Sequence, residues 1–341
     1  MWEVLLTLCA AAGAPDCETR RLPGGETRAA CAATAQAVTA AADGFALDWP
    51  CVPAGETPAF PVTEIAPGVF VHRGAIALAD RTNRGDIANL GFVIGAESVA
   101  VIDAGGSPAV ARDLLAAIRA RTALPVRWLI LTHAHPDHIL GARVFAEAGA
   151  TVIGHHALPR AMAQRGPAYV SAAERQTGAR LGPEALVAID ETVETVREID
   201  LGGRVLRLEA HPEAHSGADL TVRDLATDSW FLGDLLFLRH FPSLDGSVAG
   251  WIAVLDGLAA RPAARAVPGH GPVAVAWPGG AAALRAYLDG LAAAARAAIA
   301  AGTPTLAASR RIAAESPEDW RLRDAFAERN AVGAIRELEW E

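Results

Sequence analysis

The sequence predicts a layered α/β domain, preceded by a small cysteine-bearing module and followed by a helical C-terminal extension. Three observations carry this. Short apolar, β-branched runs alternate with amphipathic helical patterns through the middle of the chain, the texture of stacked sheets and helices. The chain has 341 residues, 52% hydrophobic and 20% charged, enough to bury the core of one large domain or two smaller ones and too apolar for extended disorder. The residues that carry chemistry follow directly on strand-like segments, where a rigid element presents a loop.

Residues 1–14 read as an export signal. Val4 to Ala14 is apolar and ends in Ala12-Gly13-Ala14, a small-residue cleavage pattern, although Met1-Trp2-Glu3 is acidic where such a segment is usually basic. A wrongly assigned start and a buried first helix are the alternatives. Export would place the protein in the periplasm or outside a bacterial cell; without it, the protein is cytoplasmic. Residues 15–60 form the module, with an alanine-rich stretch, Ala29 to Ala42, as a candidate helix. All four cysteines (Cys9, Cys17, Cys31, Cys51) lie before residue 52. None stands in a C-x-x-C pair, which argues against a zinc ribbon. Cleavage would leave Cys17, Cys31 and Cys51 for one disulfide and one odd thiol, the pairing open.

From Pro61 the texture changes. Strand-like runs at Val69 to His72, Leu90 to Ile94 and Val99 to Ile102 precede a helix from Pro108, whose Val110, Leu114, Leu115 and Ile118 share one face. Trp128 to Leu131, Thr151 to Ile153, a helical region to about Arg180, and strands at Arg204 to Leu208, Leu220 to Val222 and Trp230 to Leu232 continue the pattern. This domain spans 61–280. Residues 281–341 are helical, interrupted at Gly302-Thr303-Pro304.

Composition removes whole mechanisms. All 30 basic residues are arginine, so a lysine-bearing phosphate loop, a Ser-x-x-Lys acyl enzyme and a lysine Schiff base are excluded. The net charge of −9 and the lack of an arginine stripe argue against a nucleic-acid partner. No uncharged apolar stretch is long enough for a membrane span.

The chemistry concentrates in Thr132-His133-Ala134-His135-Pro136-Asp137-His138, just after a buried-looking strand. At a strand end, alternate residues His133 and His135 can face one metal while Asp137 and His138, as the backbone turns, face a neighbouring position; imidazole and carboxylate are ligands that zinc accepts. Two adjacent cations need more, and three candidates sit beside turn-forming residues: His215 in Ala214-His215-Ser216-Gly217, Asp234 in Leu232-Gly233-Asp234, and His270 in Pro268-Gly269-His270-Gly271. Asp103, ending the strand Val99 to Ile102 ahead of Gly105-Gly106, is a candidate to accept a hydrogen bond that fixes the metal loop; an ordinary turn aspartate is the alternative. His155 and His156 read as structural. His211, His240 and Asp245 are candidates for the substrate mouth. The polar loop Asp80 to Asn89 either covers the site or is a solvated hairpin tip.

In this order, the segments resemble the metallo-β-lactamase superfamily over about residues 61–280. The resemblance implies an αββα four-layer sandwich with a metal pair on loops at one edge. It implies that His133, His135 and His215 hold one metal, that Asp137, His138 and His270 hold the other, and that Asp234 bridges them. A bridging aspartate favours the glyoxalase II-like hydrolase branch over resistance-type lactamases, and His135 argues against redox diiron use. Pro61 to Val71, Asn83 to Phe92 and Pro242 to Ser247 are similar to the quinoprotein relay system zinc metallohydrolases, a generally exported group with a cysteine-bearing N-terminal part. That likeness implies a quinoprotein dehydrogenase or cytochrome partner.

The function expected is a binuclear hydrolase with two Zn²⁺, iron or manganese being alternatives. A metal-bridging hydroxide, oriented by Asp137, would attack a small ester, thioester, lactone or strained amide. A β-lactamase is the alternative enzyme, and a non-catalytic metal-binding accessory of a periplasmic dehydrogenase system the alternative from another class. The short Asp234–His270 interval disfavours a nuclease.

Overall fold

Along Val99–Ile102, successive side chains enter two different cores, Val99 and Val101 on one face and Ala100 and Ile102 on the other. Val126–Leu131 does the same, with Leu129 and Leu131 on the first side and Ile130 on the second. A strand with period 2 that is apolar on both faces must be covered on both, and the layers follow from that.

The computed structural model describes residues 2–9, 17–27, 29–31, 33–34, 45–48, 51–53 and 60–340. The chain divides into two compact units, 1–59 and 60–341. In the first, strands β1 (Trp2–Cys9), β2 (Cys17–Gly25), β3 (Phe45–Asp48) and β4 (Cys51–Pro53) form one sheet, β1 pairing antiparallel with each of the others. The segment expected as an export signal or first helix therefore contains a strand, because an apolar run of this length satisfies its backbone equally well by pairing. Residues 29–31 and 33–34 are helical. The remainder of Ala29 to Ala42, and the Ala12-Gly13-Ala14 pattern, lie outside the described residues. Cys31 is buried and disulfide-bonded; the pairing among Cys17, Cys31 and Cys51 lies outside the described side chains.

In the second unit, a seven-stranded sheet has the order β11-β10-β9-β8-β7-β6-β5. Its strands are β5 (Val62–Ala66), β6 (Val69–His72), β7 (Leu90–Ile94), β8 (Val99–Ile102), β9 (Val126–Leu131), β10 (Thr151–His155) and β11 (Glu191–Val193). It is antiparallel from β5 to β8 and parallel from β8 to β11. The second sheet, β12 (Val196–Asp200), β13 (Val205–Ala210), β14 (Leu220–Asp224), β15 (Ser229–Phe237) and β16 (Arg265–His270), is antiparallel except for the β15–β16 pair. Between the sheets lie Val71, Val93, Ile102, Ile130, Leu206, Leu208, Val222 and Phe231.

Helices cover both outer faces. Helix α1 (Pro108–Arg119) is started by Ser107, whose Oγ accepts from the Val110 N–H at 3.4 Å, with proline in the first turn. It packs Val110, Leu114, Leu115 and Ile118 onto the first sheet beside α3 (Ala142–Glu147), and α4 (Leu158–Thr177) covers the same face. Trp230 and Leu232 of β15 face the opposite layer, made by α5 (Val248–Ala259), α6 (Ala282–Ala300), α7 (Thr305–Ala314) and α8 (Arg323–Leu338). This is the αββα sandwich that the sequence resemblance implies. Residues 281–341 belong to the same unit and form part of its outer helical layer. No described helix is long and apolar enough to cross a membrane.

Candidate metal centre

Parallel pairing of β8 with β9 sets Asp103 beside the chain leaving β9. Asp103 holds a left-handed backbone, φ +60°, and its buried carboxylate accepts from Thr132 N–H and Thr132 Oγ1–H, both at 2.8 Å. Thr132 thus starts the turn that carries His133 and His135. A one-turn helix, α2 (Pro136–Ile139), follows immediately and places Asp137 and His138 on the next turn. His215 comes from the loop after β13, His270 ends β16, and Asp234 lies inside β15. The Gly-Asp step expected as a turn is instead a register shift in the middle of a fully buried strand.

All seven predicted residues are brought together, in two groups. In the first, His133 Nε2 and His215 Nε2 are each 3.0 Å from His135 Nδ1 and 3.5 Å from Asp234 Oδ2. In the second, Asp137 Oδ2 lies 3.6 Å from His138 Nε2 and 3.3 Å from His270 Nε2, while Asp234 Oδ1 lies 3.3 and 3.4 Å from those same nitrogens. Ligand atoms around a tetrahedral cation with ~2.1 Å bonds are about 3.4 Å apart. Asp234 gives one oxygen to each group.

The outer nitrogen of every histidine is engaged. Nδ1 of His138 donates to Asp103 Oδ2 at 2.8 Å, that of His215 to Ser243 O at 2.8 Å and that of His270 to Ile87 O at 2.9 Å. His133 Nδ1 faces Thr132 Oγ1 at 3.0 Å, and His135 Nε2 faces Asp245 Oδ2 at 3.1 Å. A proton fixed on the outer nitrogen leaves a lone pair on the inner one, the form in which imidazole binds metal.

The two groups differ in charge. Burial, reinforced by neighbouring imidazoles, pushes His133 well below the ordinary imidazole range, and burial takes His215 down to about 3. In the second group burial acts the same way but is outweighed. Asp234, Asp103 and Asp137 hold His138 well above its ordinary value, and Asp234 and Asp137 hold His270 at about 9. Against the opposing effect of burial, the facing imidazoles keep the carboxyls of Asp137 and Asp234 well below the usual carboxylate range.

The donor set fits divalent cations. Among described residues, His138 Nε2 and Asp234 Oδ1 are fully buried without a hydrogen-bond partner, an arrangement that is costly unless something else occupies the space they face. Two glycines keep that space open. A Cβ at Gly269 would stand 1.9 Å from Asp234 Oδ1, and one at Gly233, whose φ is +52°, would stand 2.8 Å from the Thr132 side chain.

Beside the groups lies a cavity of about 350 Å³, bounded by the Gly85–Ile87 end of the polar loop, by Tyr169 of α4, by Phe237 and His240, and by Phe326 and Arg329 of α8. The loop Asp80 to Asn89 thus plays both expected parts: its later residues wall the cavity, while Asp80 caps an exposed turn through the N–H groups of Thr82 and Asn83. His240 lines the cavity as proposed; it donates to Phe241 O at 2.7 Å and stays neutral, pushed by burial to about 3. Asp245 lines no part of this cavity and sits behind His135. His211 bonds Thr221 Oγ1, and His155 bonds His211 O. His156 lies 3.7 Å from Glu194. None of these three joins either group. Tyr169, Arg165, Phe326 and Arg329 were not legible in the sequence, since each reaches the site from a distant helix.

The metallo-β-lactamase superfamily profile matches residues 83–270, more than half of the chain, and the chain belongs to that superfamily. No curated protein matches the sequence. The fold is similar to a metallo-β-lactamase from Pontibacter korlensis, with a TM-score of 0.55 and 20% identity over 67% of this chain and 98% of that one. It is similar also to TMB-1, with 0.53 and 17% over 68% and 98%. A third likeness is to the DIM-1 metallo-β-lactamase exposed to ceftazidime, with 0.54 and 14% over 69% and 98%. At these identities the likeness is one of fold.

Proposed function

We propose that the protein is a binuclear metal-dependent hydrolase of small carbonyl substrates, zinc being the expected metal and iron or manganese the alternatives. One observation carries the reading: Asp234 directs one buried carboxylate oxygen into each of two adjoining donor groups, and its Oδ1 and His138 Nε2 have no hydrogen-bond partner among the described residues. His133, His135, His215 and Asp234 Oδ2 would hold one cation; Asp137, His138, His270 and Asp234 Oδ1 the other. A bound pair supplies Lewis acidity and makes water a nucleophile near neutral pH without calling on a lysine, which the chain lacks.

The residues of the chain do the rest. Asp137, at the cavity wall, orients the attacking water. Burial raises the Tyr169 phenol above its ordinary value, so it stays protonated and can donate to the leaving atom. Because that donor is a weak acid, thioesters, activated esters, lactones and strained amides are better substrates than peptides. The Cys31 disulfide supports export, since disulfides persist in oxidising compartments. Export in turn fits the likeness to the quinoprotein relay hydrolases and a dehydrogenase or cytochrome partner.

Metal analysis paired with a thioester, lactone, ester and β-lactam panel tests this. Two metals per chain with turnover of an ester, thioester or lactone is the expected result. Fewer than one metal per chain after zinc repletion sinks it. Metal without turnover, together with co-purification of a quinoprotein or cytochrome, favours the accessory reading, and nitrocefin turnover lost in Asp234→Ala favours a lactamase.

A further inference from the structure

One wall of the cavity is built by α8. Phe326 and Arg329 of that helix face it, and both lie beyond residue 270, where the superfamily match ends. Arg329 is the one guanidinium among the described lining residues, and Leu78, Ile87, Phe237 and Phe326 make much of the rest apolar.

The charge around Arg329 is unbalanced. Its Nη2 donates to Asp245 Oδ1 at 3.2 Å. The other oxygen of Asp245 faces His135 Nε2 at 3.1 Å and is contacted by Arg165 of α4. One carboxylate therefore serves two guanidiniums and an imidazole. A guanidinium has five N–H donors in a planar fork, and Arg329 spends one on Asp245 while its side chain is 56% exposed. The donors left over match a carboxylate in geometry as well as charge.

We propose that Arg329 selects the substrate: it receives a carboxylate carried on an apolar body, whose carbonyl is thereby presented to the two donor groups. This rests on the hydrolase reading above. The competing role is purely structural, Arg329 clamping Asp245 and through it His135.

The test uses the metal-loaded protein and two esters of equal chain length, 4-nitrophenyl hydrogen adipate, which ends in a carboxylate, and 4-nitrophenyl hexanoate, which ends in a methyl group. The ratio of their kcat/KM values is expected to fall at least tenfold in Arg329→Ala, mainly through KM of the anionic ester, and to be largely restored in Arg329→Lys. A smaller fall in the ratio overturns the proposal, even where both rates drop, because a loss shared by both esters is the structural role. If neither ester is cleaved, calorimetric binding of the corresponding 4-nitroanilides decides. Affinity for the anionic anilide at least tenfold weaker in Arg329→Ala, relative to the neutral one, keeps the proposal while the hydrolase reading falls. A smaller relative change overturns it.

Discussion

The two donor groups share Asp234 and lie side by side, yet their electrostatics are opposite. Around His133, His135 and His215 one Asp234 oxygen faces three imidazoles, with the Asp245 carboxylate behind His135, and burial keeps His133 and His215 neutral. Around His138 and His270 stand Asp137 and Asp234, with Asp103 behind, and these carboxylates draw protons onto both rings. A ring forced neutral is ready for a cation; a ring held protonated must first release a proton. The first group should therefore load with weak dependence on pH, and the second in exchange for protons.

The sharpest way to break the comparison is to remove what the groups share. Asp234→Ala takes an oxygen from both, so metal content by elemental analysis should fall from two to below one per chain, with activity down on the order of 10³-fold or more. Asp137→Asn touches only the second group. Expected are one retained metal and a loss of about 10²-fold or more in kcat, and loss of both metals would show that the groups do not load independently.

Smaller effects come from the groups behind the ligands. Asp103→Ala deprives His138 Nδ1 of its acceptor and frees Thr132, so affinity in the second group should weaken by roughly 10–100-fold in chelator competition. Asp245→Asn removes the charged acceptor behind His135, and because Asp245 is the more exposed of the two aspartates, affinity in the first group should weaken by about tenfold or less.

The pH dependence separates the groups without mutation. His270 is raised to about 9 from an ordinary 6.5. Its contribution to the stability of chelator-treated protein is thus fully present below about pH 6.5 and lost as pH rises through about 9. The urea midpoint of the metal-free protein should fall across that window while affinity for the second cation rises. A flat midpoint would contradict the assignment of protons to the second group.

Much of the site was legible because it is local. His133 to His138 follow one strand end, and Asp103 closes the neighbouring strand, so spacing and strand order suffice. The position of Asp234 was legible but its setting was not: Gly-Asp reads as a turn, and only pairing with β16 shows the mid-strand shift. Asp245 illustrates what local reading cannot reach. Its partners come from the β9 loop, α4 and α8, and no periodicity in the sequence records such long-range meetings. The β1 strand was missed for a different reason, since a short apolar run reads alike as strand, helix or export segment.

The donors are split between the sheets: His133, His135, Asp137 and His138 ride on the first, His215, Asp234 and His270 on the second. Neither sheet alone holds a complete group. During refolding, high-affinity cation uptake can therefore proceed no faster than the docking of one sheet upon the other. A zinc-sensitive dye in a stopped-flow experiment would time the closure of the sandwich rather than the formation of its strands.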